Sequence, residues 1–450
     1  MAAACNVSMR KEECWVQLHK MKYDVSIIGL GYVGLPLGLQ FAKSGCRVLG
    51  LDIDPAKVKE IEAGRSYIRH IPAKDVAAQV QAGKFSASSD FSLVKHSEAV
   101  LICVPTPLNK NREPDISYIL KTGEAIAPYL RSKDGVRKKL IALESTTYPG
   151  TTDEDLRKVL EKRSGLKAGI DFHLAFSPER EDPGNPQSRV AEIPKVVGGL
   201  TPACLERAKE LYGKAIKQLV PVSSTRAAEA TKLMENIFRS VNIALVNELK
   251  IIYGSMGIDI WEVIEAAKTK PFGFMPFYPG PGLGGHCIPI DPFYLTWKAK
   301  EFGHATRFIE LAGEINTAMP DHVISKVGEA LNSVGKPIKG SKILVLGLAY
   351  KADVEDDRES PSYVLIEKLE ALQAKVEYHD PYIPIIGRTR KHDSLAGKKS
   401  VFPDTSFDLF LIATAHKDFN EYQFIKWDVP VLDTRNCINK SRRPREYFSA

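Results

Sequence analysis

The chain has 450 residues, 44% of them hydrophobic and 26% charged, and its 62 Lys and Arg residues against 55 Asp and Glu residues give a formal net charge of +7. The length indicates two or three domains, and the composition excludes a collagen, a disordered chain and a disulfide-stapled miniprotein. The mild basic excess favours a solvated surface, or an acidic small substrate such as a nucleotide, over nucleic-acid binding, and no apolar run approaches the roughly 18–20 residues of a membrane span.

The first segment, residues 1–21, is polar and charged and lacks the long apolar stretch of a secretory signal. We expect a disordered N-terminal extension there. From 22 to 222, apolar runs alternate with amphipathic stretches of helix length, and strands are expected at 25–28, 47–51, 99–103, 140–143 and 174–176. Continuous apolar strands that alternate with helices indicate a parallel sheet covered on both faces, so this segment is predicted to be a doubly wound Rossmann-like domain.

The spacing of apolar residues changes after residue 222. From 225 to 254, apolar side chains recur every three or four residues, which predicts one long helix. A second helical stretch follows from about 290 to 331. The segment 223–335 is therefore expected to be a central all-helical block.

The α/β pattern returns near residue 342. Strands are expected at 343–347, 375–378 and 409–412, so 336–440 is predicted to form a second doubly wound domain, and 441–450 a tail. The predicted fold is thus α/β, with two doubly wound Rossmann-like domains joined by a central all-helical block that contains one long helix.

A glycine-rich turn follows the first predicted strand and opens a helix. Its sequence is Gly29-Leu30-Gly31-Tyr32-Val33-Gly34. The first glycine permits the tight turn, the second lets the backbone approach a pyrophosphate, and the third lets helix and strand pack closely. The helix N-terminus supplies free N–H groups and a partial positive charge, so the turn is a candidate dinucleotide site.

An acidic residue at the end of the second predicted strand completes this pattern. Asp52 lies 21 residues after Gly31. A carboxylate at that place accepts hydrogen bonds from ribose hydroxyls and repels a 2′-phosphate, so NAD is favoured over NADP. The alternative is a βαβ unit with an empty glycine turn, in which Asp52 is only a cap. Asp54 and Lys57 are either further cofactor contacts or only a cap and a surface charge.

The most unusual segment is the glycine-rich run 280–291, which surrounds Cys287. A helix N-terminus lowers the pKa of a thiol and makes its thiolate more available as a nucleophile. If a helix begins near Cys287, Asp291 shares one face with it, four residues on. His286 is either an assistant to the thiol or a satisfied loop histidine, and the alternative for Cys287 is a small buried side chain.

Other polar side chains lie on the long predicted helix and after predicted strands. Lys232 and Asn236 are four residues apart, so they either bind an alkoxide, an aldehyde oxygen or a water together, or form a solvated stripe. Thr106, Thr146 and Glu179 follow strands, at the sheet edge where ligands bind in open α/β folds. The alternative for each of these three is a cap of the next helix.

The seven cysteines are scattered and include no C-x-x-C pair. An odd, sparse set is typical of a reducing compartment and argues against a zinc site. We therefore expect a cytoplasmic protein with no metal and no nucleic-acid or membrane partner.

Together these residues resemble the UDP-glucose/GDP-mannose dehydrogenase family over about 22–439. The motifs that carry the resemblance are 29–34, Glu229-Ala230-Thr231-Lys232 with Asn236, Gly284-Gly285-His286-Cys287 with Asp291, and Lys351-Ala352-Asp353 leading to Asp357-Arg358-Glu359-Ser360-Pro361. The resemblance implies an N-terminal NAD domain, a central helical block that forms a homodimer, and a C-terminal domain that binds the UDP of the substrate.

The resemblance also implies a four-electron oxidation of the C6 alcohol of a UDP-sugar, with NAD as cofactor. Cys287 would hold the half-oxidised sugar as a thiohemiacetal and then as a thioester. Asp291 would act with the water that hydrolyses the thioester to the uronic acid, and the product would feed surface-polysaccharide synthesis.

The remaining site residues follow from the same resemblance. Lys232, Asn236 and Thr146 would stabilise oxyanions or hold water. Glu179 would belong to the catalytic shell, and Arg358 would reach towards the nicotinamide cofactor. The implied cofactor-binding residues are Gly29, Gly31, Tyr32, Val33, Gly34, Asp52, Lys57, Thr106, Thr146 and Arg358. The implied substrate-binding residues are Glu179, Arg180, Lys232, Asn236, Phe277, Tyr278, Gly284 and Lys351.

Two segments depart from the UDP-glucose branch of the family, namely 180–185 and the aromatic loop 270–279. There the chain resembles the branch that oxidises UDP-N-acetylhexosamines, and UDP-N-acetylglucosamine is the expected substrate. UDP-N-acetylmannosamine and UDP-glucose are the alternative substrates. Two alternatives come from other classes: a two-electron hydroxyacid dehydrogenase, which needs no essential thiol, and a non-catalytic sugar-nucleotide sensor.

Overall fold

The computed structural model describes residues 21–450, except 69–70, 110, 132–137, 182–189, 286, 390 and 423. Nearly all of the expected N-terminal extension, His286 and the departing segment 182–185 therefore lie outside the described residues. The chain divides into two compact units, of which the first contains residues up to Glu235 with Lys300–Phe302 and the second contains Asn236–Ala299 with Gly303–Ala450. In the part of the chain described, no helix is both long and apolar enough to cross a membrane.

The first unit contains an eight-stranded sheet. Its strands are β1 Val25–Ile28, β2 Val48–Leu51, β3 Phe85–Ser88, β4 Ala99–Ile102, β5 Leu140–Leu143, β6 His173–Phe176, β7 Lys195–Gly199 and β8 Leu219–Val222. The order is β3-β2-β1-β4-β5-β6-β7-β8, and neighbours are parallel except β6 and β7, which are antiparallel. The five predicted strands are confirmed. The sequence pattern missed β3, β7 and β8 because Ser, Lys, Gly or Pro interrupts their apolar residues.

Helices cover both faces of this sheet. They are α1 Gly34–Lys43, α2 Pro55–Glu62, α3 Ala73–Gln81, α4 Ser117–Ile126, α5 Arg157–Ser164 and α6 Pro202–Tyr212, with 3-10 turns at Phe91–His96 and Ala127–Tyr129 and a π-helical turn at Thr151–Leu156. Ile27 of β1 packs in a core that includes Tyr212 of α6, whereas the next residue, Ile28, packs in a separate core with Ile119 of α4. Alternate side chains of one strand thus enter different cores, as expected for a sheet buried on both faces.

The central helices are α7 Thr225–Ser255, α8 Ile260–Ala267, α9 Asp291–Lys300 and α10 Arg307–Ser333. The predicted long helix is confirmed as α7, and the boundary between the two units falls within it. In the second unit, the Asn247 amide of α7 donates to the Asn316 amide oxygen of α10 at 2.9 Å, and Asn316 donates to the Ser240 carbonyl at 3.1 Å. These buried bonds fix the register of the two helices, because an unpaired buried amide is costly.

The second unit also contains a five-stranded parallel sheet in the order β10-β9-β11-β12-β13. Its strands are β9 Lys342–Leu346, β10 Lys375–His379, β11 Leu409–Ile412, β12 Val431–Asp433 and β13 Tyr447–Ser449, with helices α11 Pro361–Ala371 and α12 Phe424–Trp427 and 3-10 turns at Asp393–Leu395, Lys417–Glu421 and Lys440–Arg442. Residues 441–450, expected to form a tail, instead include the edge strand β13, which pairs with β12 through Val431 and Tyr447. The sheet-forming segment therefore extends beyond the predicted boundary at 440.

Candidate active site

The turn between β1 and α1 contains three glycines, and each position needs a glycine for a different physical reason. Gly29 has a φ of +89°, and a side chain there would lie 2.5 Å from the Cys103 carbonyl oxygen. A side chain at Gly34 would lie 1.9 Å from the Gly29 carbonyl oxygen. A Cβ at Gly31, in contrast, would meet no protein atom within 4 Å. Glycine at positions 29 and 34 is therefore required by packing within the protein. Gly31 instead leaves open space beside the first residues of α1, which suits a pyrophosphate.

Asp52 lies beside this turn and is only 6% exposed. One carboxylate oxygen, Oδ2, accepts from the Leu30 backbone N–H at 2.8 Å and from the Lys57 ammonium at 3.2 Å. The other, Oδ1, accepts from the Asp54 N–H at 2.9 Å. Asp54 is the N-cap of α2 through the Ala56 N–H. The carboxylate is therefore fixed next to the pyrophosphate turn, as a site for NAD requires, and Asp54 is the cap that the sequence left as one alternative.

The two predicted threonines lie in the loops after β4 and β5. The Thr106 hydroxyl donates to the Thr146 carbonyl at 2.8 Å, and the Ser145 hydroxyl donates to the Val104 carbonyl at 2.7 Å. These bonds tie the two loops together at the carboxyl edge of the sheet. Thr106 is buried and bonded within the protein, whereas Thr146 is partly exposed.

Glu179 follows β6 and sits in a network that the sequence pattern did not reveal. Its Oε1 accepts from the backbone N–H groups of Arg180 and Glu181 at 2.7 and 2.8 Å, and its Oε2 lies 3.3 Å from the Lys195 ammonium. Lys195 also bonds Glu144 at 2.8 Å, just after β5. The sequence analysis missed Glu144 and Lys195 because neither lies in a recognisable local motif. In addition, the strand β7, which carries Lys195, was not predicted.

The charge of Glu179 follows from these neighbours. Burial would raise the pKa of this carboxyl, but Lys195, the two backbone N–H groups and the charge of Lys232 together hold it below its usual value. Glu144 is different, because burial outweighs Lys195 and raises its pKa to about 7. Glu179 is thus a fixed carboxylate at neutral pH, suited to accept hydrogen bonds rather than to donate a proton.

Arg180, predicted to bind substrate, makes its hydrogen bonds inside the first unit. Its guanidinium forms an ion pair with Glu235 at 2.6 Å and donates to the Pro194 carbonyl at 2.6 Å. Neither contact involves the sheet edge at Glu179, so the side chain serves to fix the loop after β6 to α7.

The first turns of α7 are anchored by a buried carboxylate. Glu229 accepts from the Gly150 N–H at 2.7 Å and from both the N–H and the hydroxyl of Thr152, at 2.9 and 2.7 Å. Burial raises the pKa of Glu229 to about 7. Lys232 follows one turn later and is 8% exposed. The alternative of a solvated stripe is therefore wrong for Lys232, and it is also wrong for Asn236, which is 3% exposed.

In the second unit, Asn236 and Asp291 meet directly. The Asn236 amide nitrogen donates to Asp291 Oδ2 at 2.6 Å, and Asp291 is 1% exposed. Asp291 is the first residue of α9, and its N–H donates to the Cys287 carbonyl at 2.8 Å. Cys287, which is partly exposed and forms no disulfide, thus stands one turn before α9, as the spacing of Cys287 and Asp291 predicts.

The glycines before Cys287 make room for the segment after β9. A side chain at Gly284 would lie 2.6 Å from the Tyr350 Cβ, and one at Gly285 would lie 2.9 Å from the Tyr350 ring. The Gly285 N–H donates to the Arg358 carbonyl at 3.0 Å. The Gly284 backbone thus packs against Tyr350, the residue that precedes Lys351 in the chain.

Three further predicted site residues contact other side chains of the protein. The Arg358 guanidinium forms a forked ion pair with Asp356, in which Nε and Nη2 lie 2.8 and 2.6 Å from the two carboxylate oxygens. In the aromatic loop, Phe277 packs edge-on against Phe238 of α7, with ring centres 5.7 Å apart. Tyr278 stacks on Trp261 of α8 at 5.8 Å, and its hydroxyl donates to Glu265 at 2.9 Å. The two helices therefore hold this loop by its aromatic rings.

Arg435 is a candidate anion-binding residue that the sequence pattern missed. It follows β12, and its Nε donates to the Ala413 carbonyl at 3.0 Å. A side chain at Gly280 would lie 2.3 Å from Arg435 Nη1, so the guanidinium packs directly on the glycine run. Desolvation lowers the pKa of Arg435 to about 10, which leaves it charged at neutral pH. The sequence pattern gave little indication of Arg435 because β12, the strand before it, is only three residues long.

The second sheet repeats part of the local geometry of the first, with Asp380 in the place of Asp52. The Leu348 N–H donates to Asp380 Oδ2 at 2.7 Å, as Leu30 donates to Asp52. Asp380 Oδ2 also accepts from the Ala349 N–H at 2.9 Å and pairs with the buried His416 at 3.0 Å. The turn before Asp380 reads Gly347-Leu348-Ala349 where the first sheet has Gly29-Leu30-Gly31, so it lacks the second glycine of the dinucleotide pattern.

The chain is similar to known proteins over most of its length. Sequence models of the UDP-glucose/GDP-mannose dehydrogenase family match the chain: the NAD binding domain at 23–216, the central domain at 226–318 and the UDP binding domain at 344–440. A UDP-N-acetyl-D-glucosamine 6-dehydrogenase from Pseudomonas aeruginosa is 35% identical over 88% of this chain and 91% of its own length. A UDP-N-acetyl-D-mannosamine dehydrogenase from Pyrococcus horikoshii is 35% identical over 92% of this chain and 96% of its own. The solved structure of a UDP-D-ManNAc dehydrogenase from Pyrococcus horikoshii superposes with a TM-score of 0.83 at 32% identity, covering 94% of this chain and 98% of that one.

Proposed function

Because the chain belongs to the UDP-glucose/GDP-mannose dehydrogenase family, and is thus an NAD-dependent UDP-sugar 6-dehydrogenase, we propose that it oxidises the C6 alcohol of UDP-N-acetylglucosamine to the uronic acid through a thioester on Cys287. The buried Asn236–Asp291 hydrogen bond of 2.6 Å, at the start of the helix that follows Cys287, carries this proposal. A hydroxyacid dehydrogenase needs no such pair beside a cysteine.

The chemistry proceeds in three stages. The C6 alcohol loses a proton and a hydride to become an aldehyde, and the Cys287 thiolate adds to its carbon to give a thiohemiacetal. Loss of a second hydride gives the thioester, and attack of water releases the carboxylate and the thiolate. The Gly31 turn and Asp52 would hold NAD, which would supply the hydride acceptor for each oxidation. The covalent bond to sulfur keeps the reactive aldehyde from escaping.

The roles of the surrounding residues follow from their protonation and contacts. We propose that Asp291, held by Asn236, directs the water that attacks the thioester. Lys232 supplies a positive charge to the oxyanion, and Thr146 and Glu179 hold the substrate hydroxyl or the water. Glu179 suits an acceptor role because Lys195 and two N–H groups already fix it as a carboxylate.

The choice of sugar rests on the relatives and on the aromatic loop. The relative from Pseudomonas aeruginosa supports UDP-N-acetylglucosamine, and the aromatic loop with Phe277 and Tyr278 supplies an apolar surface for a 2-acetamido group. UDP-N-acetylmannosamine is the second candidate, since the relative from Pyrococcus horikoshii is equally similar.

A substrate panel tests the choice of sugar. Purified protein is mixed with NAD and one of UDP-N-acetylglucosamine, UDP-N-acetylmannosamine, UDP-N-acetylgalactosamine or UDP-glucose, and NADH and acid are both quantified. We expect kcat/KM for UDP-N-acetylglucosamine to exceed that for each other sugar by at least about tenfold, since one well-placed contact is worth roughly 1–3 kcal/mol. Two NADH should form per acid. Robust turnover of UDP-glucose alone would contradict the proposal.

We further propose a homodimer through α7 and α10. In the single chain these helices expose large apolar side chains: Phe238 at 43%, Leu245 at 49%, Ile252 at 46%, Phe308 at 79% and Leu311 at 54%. Exposed large apolar side chains concentrated on two helices favour an interface there.

Light scattering coupled to size-exclusion chromatography tests the dimer. We expect the wild-type mass to be twice that of the chain, and the double variant Leu245→Asp/Ile252→Asp to elute as a monomer, because two buried carboxylates would oppose association. Ile170→Asp, at an apolar residue 65% exposed in the first unit, is the matched control and should stay dimeric. A wild-type monomer at micromolar concentration would refute the interface.

A further inference from the structure

A buried cluster of charged and polar side chains lies beneath the carboxyl edge of the first sheet. It consists of Lys195 on β7, Glu144 after β5, Glu179 after β6 and Tyr212 at the end of α6, and we call it the Lys195 cluster. Lys195 is 4% exposed and Glu144 1% exposed. Burying an ammonium among carboxylates costs several kcal/mol per ion unless every hydrogen bond is made. A cluster of this kind therefore indicates a functional role.

The contacts of the Lys195 ammonium are complete. It has three protons, and three oxygens surround it: Glu144 Oε2 at 2.8 Å, Glu179 Oε2 at 3.3 Å and the Pro178 carbonyl at 3.4 Å. The Tyr212 hydroxyl donates to the other oxygen of Glu144. Glu144 and Tyr212 thus fix Lys195 from below.

Glu179 is the member of the cluster that the proposed function assigns to the catalytic shell. Both of its oxygens are held, one by the N–H groups of Arg180 and Glu181 and the other by Lys195. The backbone bonds fix the position of the carboxyl group, and Lys195 supplies the neighbouring positive charge. A carboxylate without that charge would lie buried beside Glu144, which is itself acidic.

We propose that Lys195 is a positioning residue of the active site, which holds Glu179 as a fixed carboxylate, and that Glu144 and Tyr212 act by holding Lys195. This inference rests on the proposed function, in which Glu179 lies in the catalytic shell. It deepens that function by naming residues that act through Glu179 without touching the substrate.

The electrostatics agree with this assignment. Burial would lower the pKa of Lys195, but Glu144 and Glu179 raise it, so the ammonium keeps its charge throughout the working pH range. The proton taken up near neutrality goes to Glu144, whose pKa is about 7. Glu179 stays ionised beside it. The titratable groups that face Glu179 are Lys195, Glu144, Lys232 and, beyond Glu144, Tyr212 and Cys103.

Steady-state kinetics on Lys195→Met test the proposal. We expect kcat to fall by about 10- to 100-fold with little change in KM, and the acid limb of the kcat profile to move to higher pH. The sign follows from the missing ammonium: without it the pKa of Glu179 rises, so the carboxylate is lost at a higher pH. Lys195→Arg should restore part of the rate, and Lys217→Met, at an exposed lysine paired with Glu192, is the matched control and should match wild type.

A double-mutant cycle separates positioning from a merely structural role. If Lys195 acts through Glu179, Lys195→Met should slow the Glu179→Gln enzyme by no more than about twofold, because the two changes remove the same contribution. Multiplicative losses in the double variant, or a wild-type kcat and pH profile in Lys195→Met, would overturn the proposal.

Two further measurements keep the test decisive if Lys195→Met fails to fold or no sugar is oxidised. Glu144→Gln keeps the shape of the cluster and should give a smaller fall in kcat, of roughly twofold to tenfold, without unfolding.

Infrared titration, with the Glu179 signal assigned through Glu179→Gln, requires no turnover. We expect a protonated carboxyl band from Glu179 to appear at a higher pH in Lys195→Met, or in Lys195→Arg if only that variant folds, than in wild type. An unchanged Glu179 titration would overturn the proposal, whereas a shifted titration in an inactive protein would locate the failure in the proposed substrate.

Discussion

Replacing Cys287 by serine is expected to abolish formation of the uronic acid. The serine hydroxyl is nearly isosteric with the thiol but is not ionised at neutral pH, so it cannot trap the aldehyde carbon or leave from the acyl intermediate. We expect acid formation to fall by at least about a thousandfold, with NAD binding unchanged because the Gly31 turn and Asp52 are untouched. Acid measured by chromatography and NADH measured by absorbance give the two products independently.

Controls distinguish loss of the nucleophile from damage to the protein. Cys46→Ser, at a buried thiol before β2 whose pKa is raised by burial, should retain the wild-type rate. A two-electron hydroxyacid dehydrogenase would keep its turnover in Cys287→Ser and give one NADH per substrate. That outcome would eliminate the thioester route.

Replacing Asp291 by asparagine is expected to separate oxidation from hydrolysis. The asparagine oxygen still accepts the hydrogen bond from Asn236, so the local geometry is kept, but the side chain no longer accepts a proton from water. We expect steady-state kcat to fall by about 10²- to 10⁴-fold, the range typical of a lost general base. Both oxidations precede hydrolysis, so a rapid burst of two NADH per active site should remain.

Stopped-flow absorbance measures the burst, and mass spectrometry of the acid-quenched variant detects the acyl group on the peptide that contains Cys287. Asp321→Asn, at an exposed carboxylate of α10 that pairs with Lys368, is the matched control and should turn over at the wild-type rate. Absence of a burst in Asp291→Asn, with slow turnover from the first cycle, would assign Asp291 to an earlier step.

The sequence alone was sufficient for features whose cause is local. The spacing of Gly29, Gly31 and Gly34 predicts the turn geometry, because Gly29 has a positive φ and Gly34 has no room for a Cβ. The apolar spacing predicts the amphipathic helix α7, and the four-residue step from Cys287 to Asp291 predicts the turn that leads into α9. The motifs distributed along the chain likewise indicated the family that the comparisons later showed.

The tertiary structure decided which polar residues became partners. Lys195 bonds Glu144 across 51 residues, and Asn236 bonds Asp291 across 55. No periodicity encodes such pairs, because they depend on the sheet order β5-β6-β7 and on the packing of α7 against the start of α9. β7 itself was overlooked because its stability comes from pairing with β6 and β8 rather than from an apolar run of its own. The local backbone geometry therefore followed from the sequence alone. The charge state and orientation of Glu179 depend on the tertiary structure, because strands distant in the sequence place Lys195 beside it.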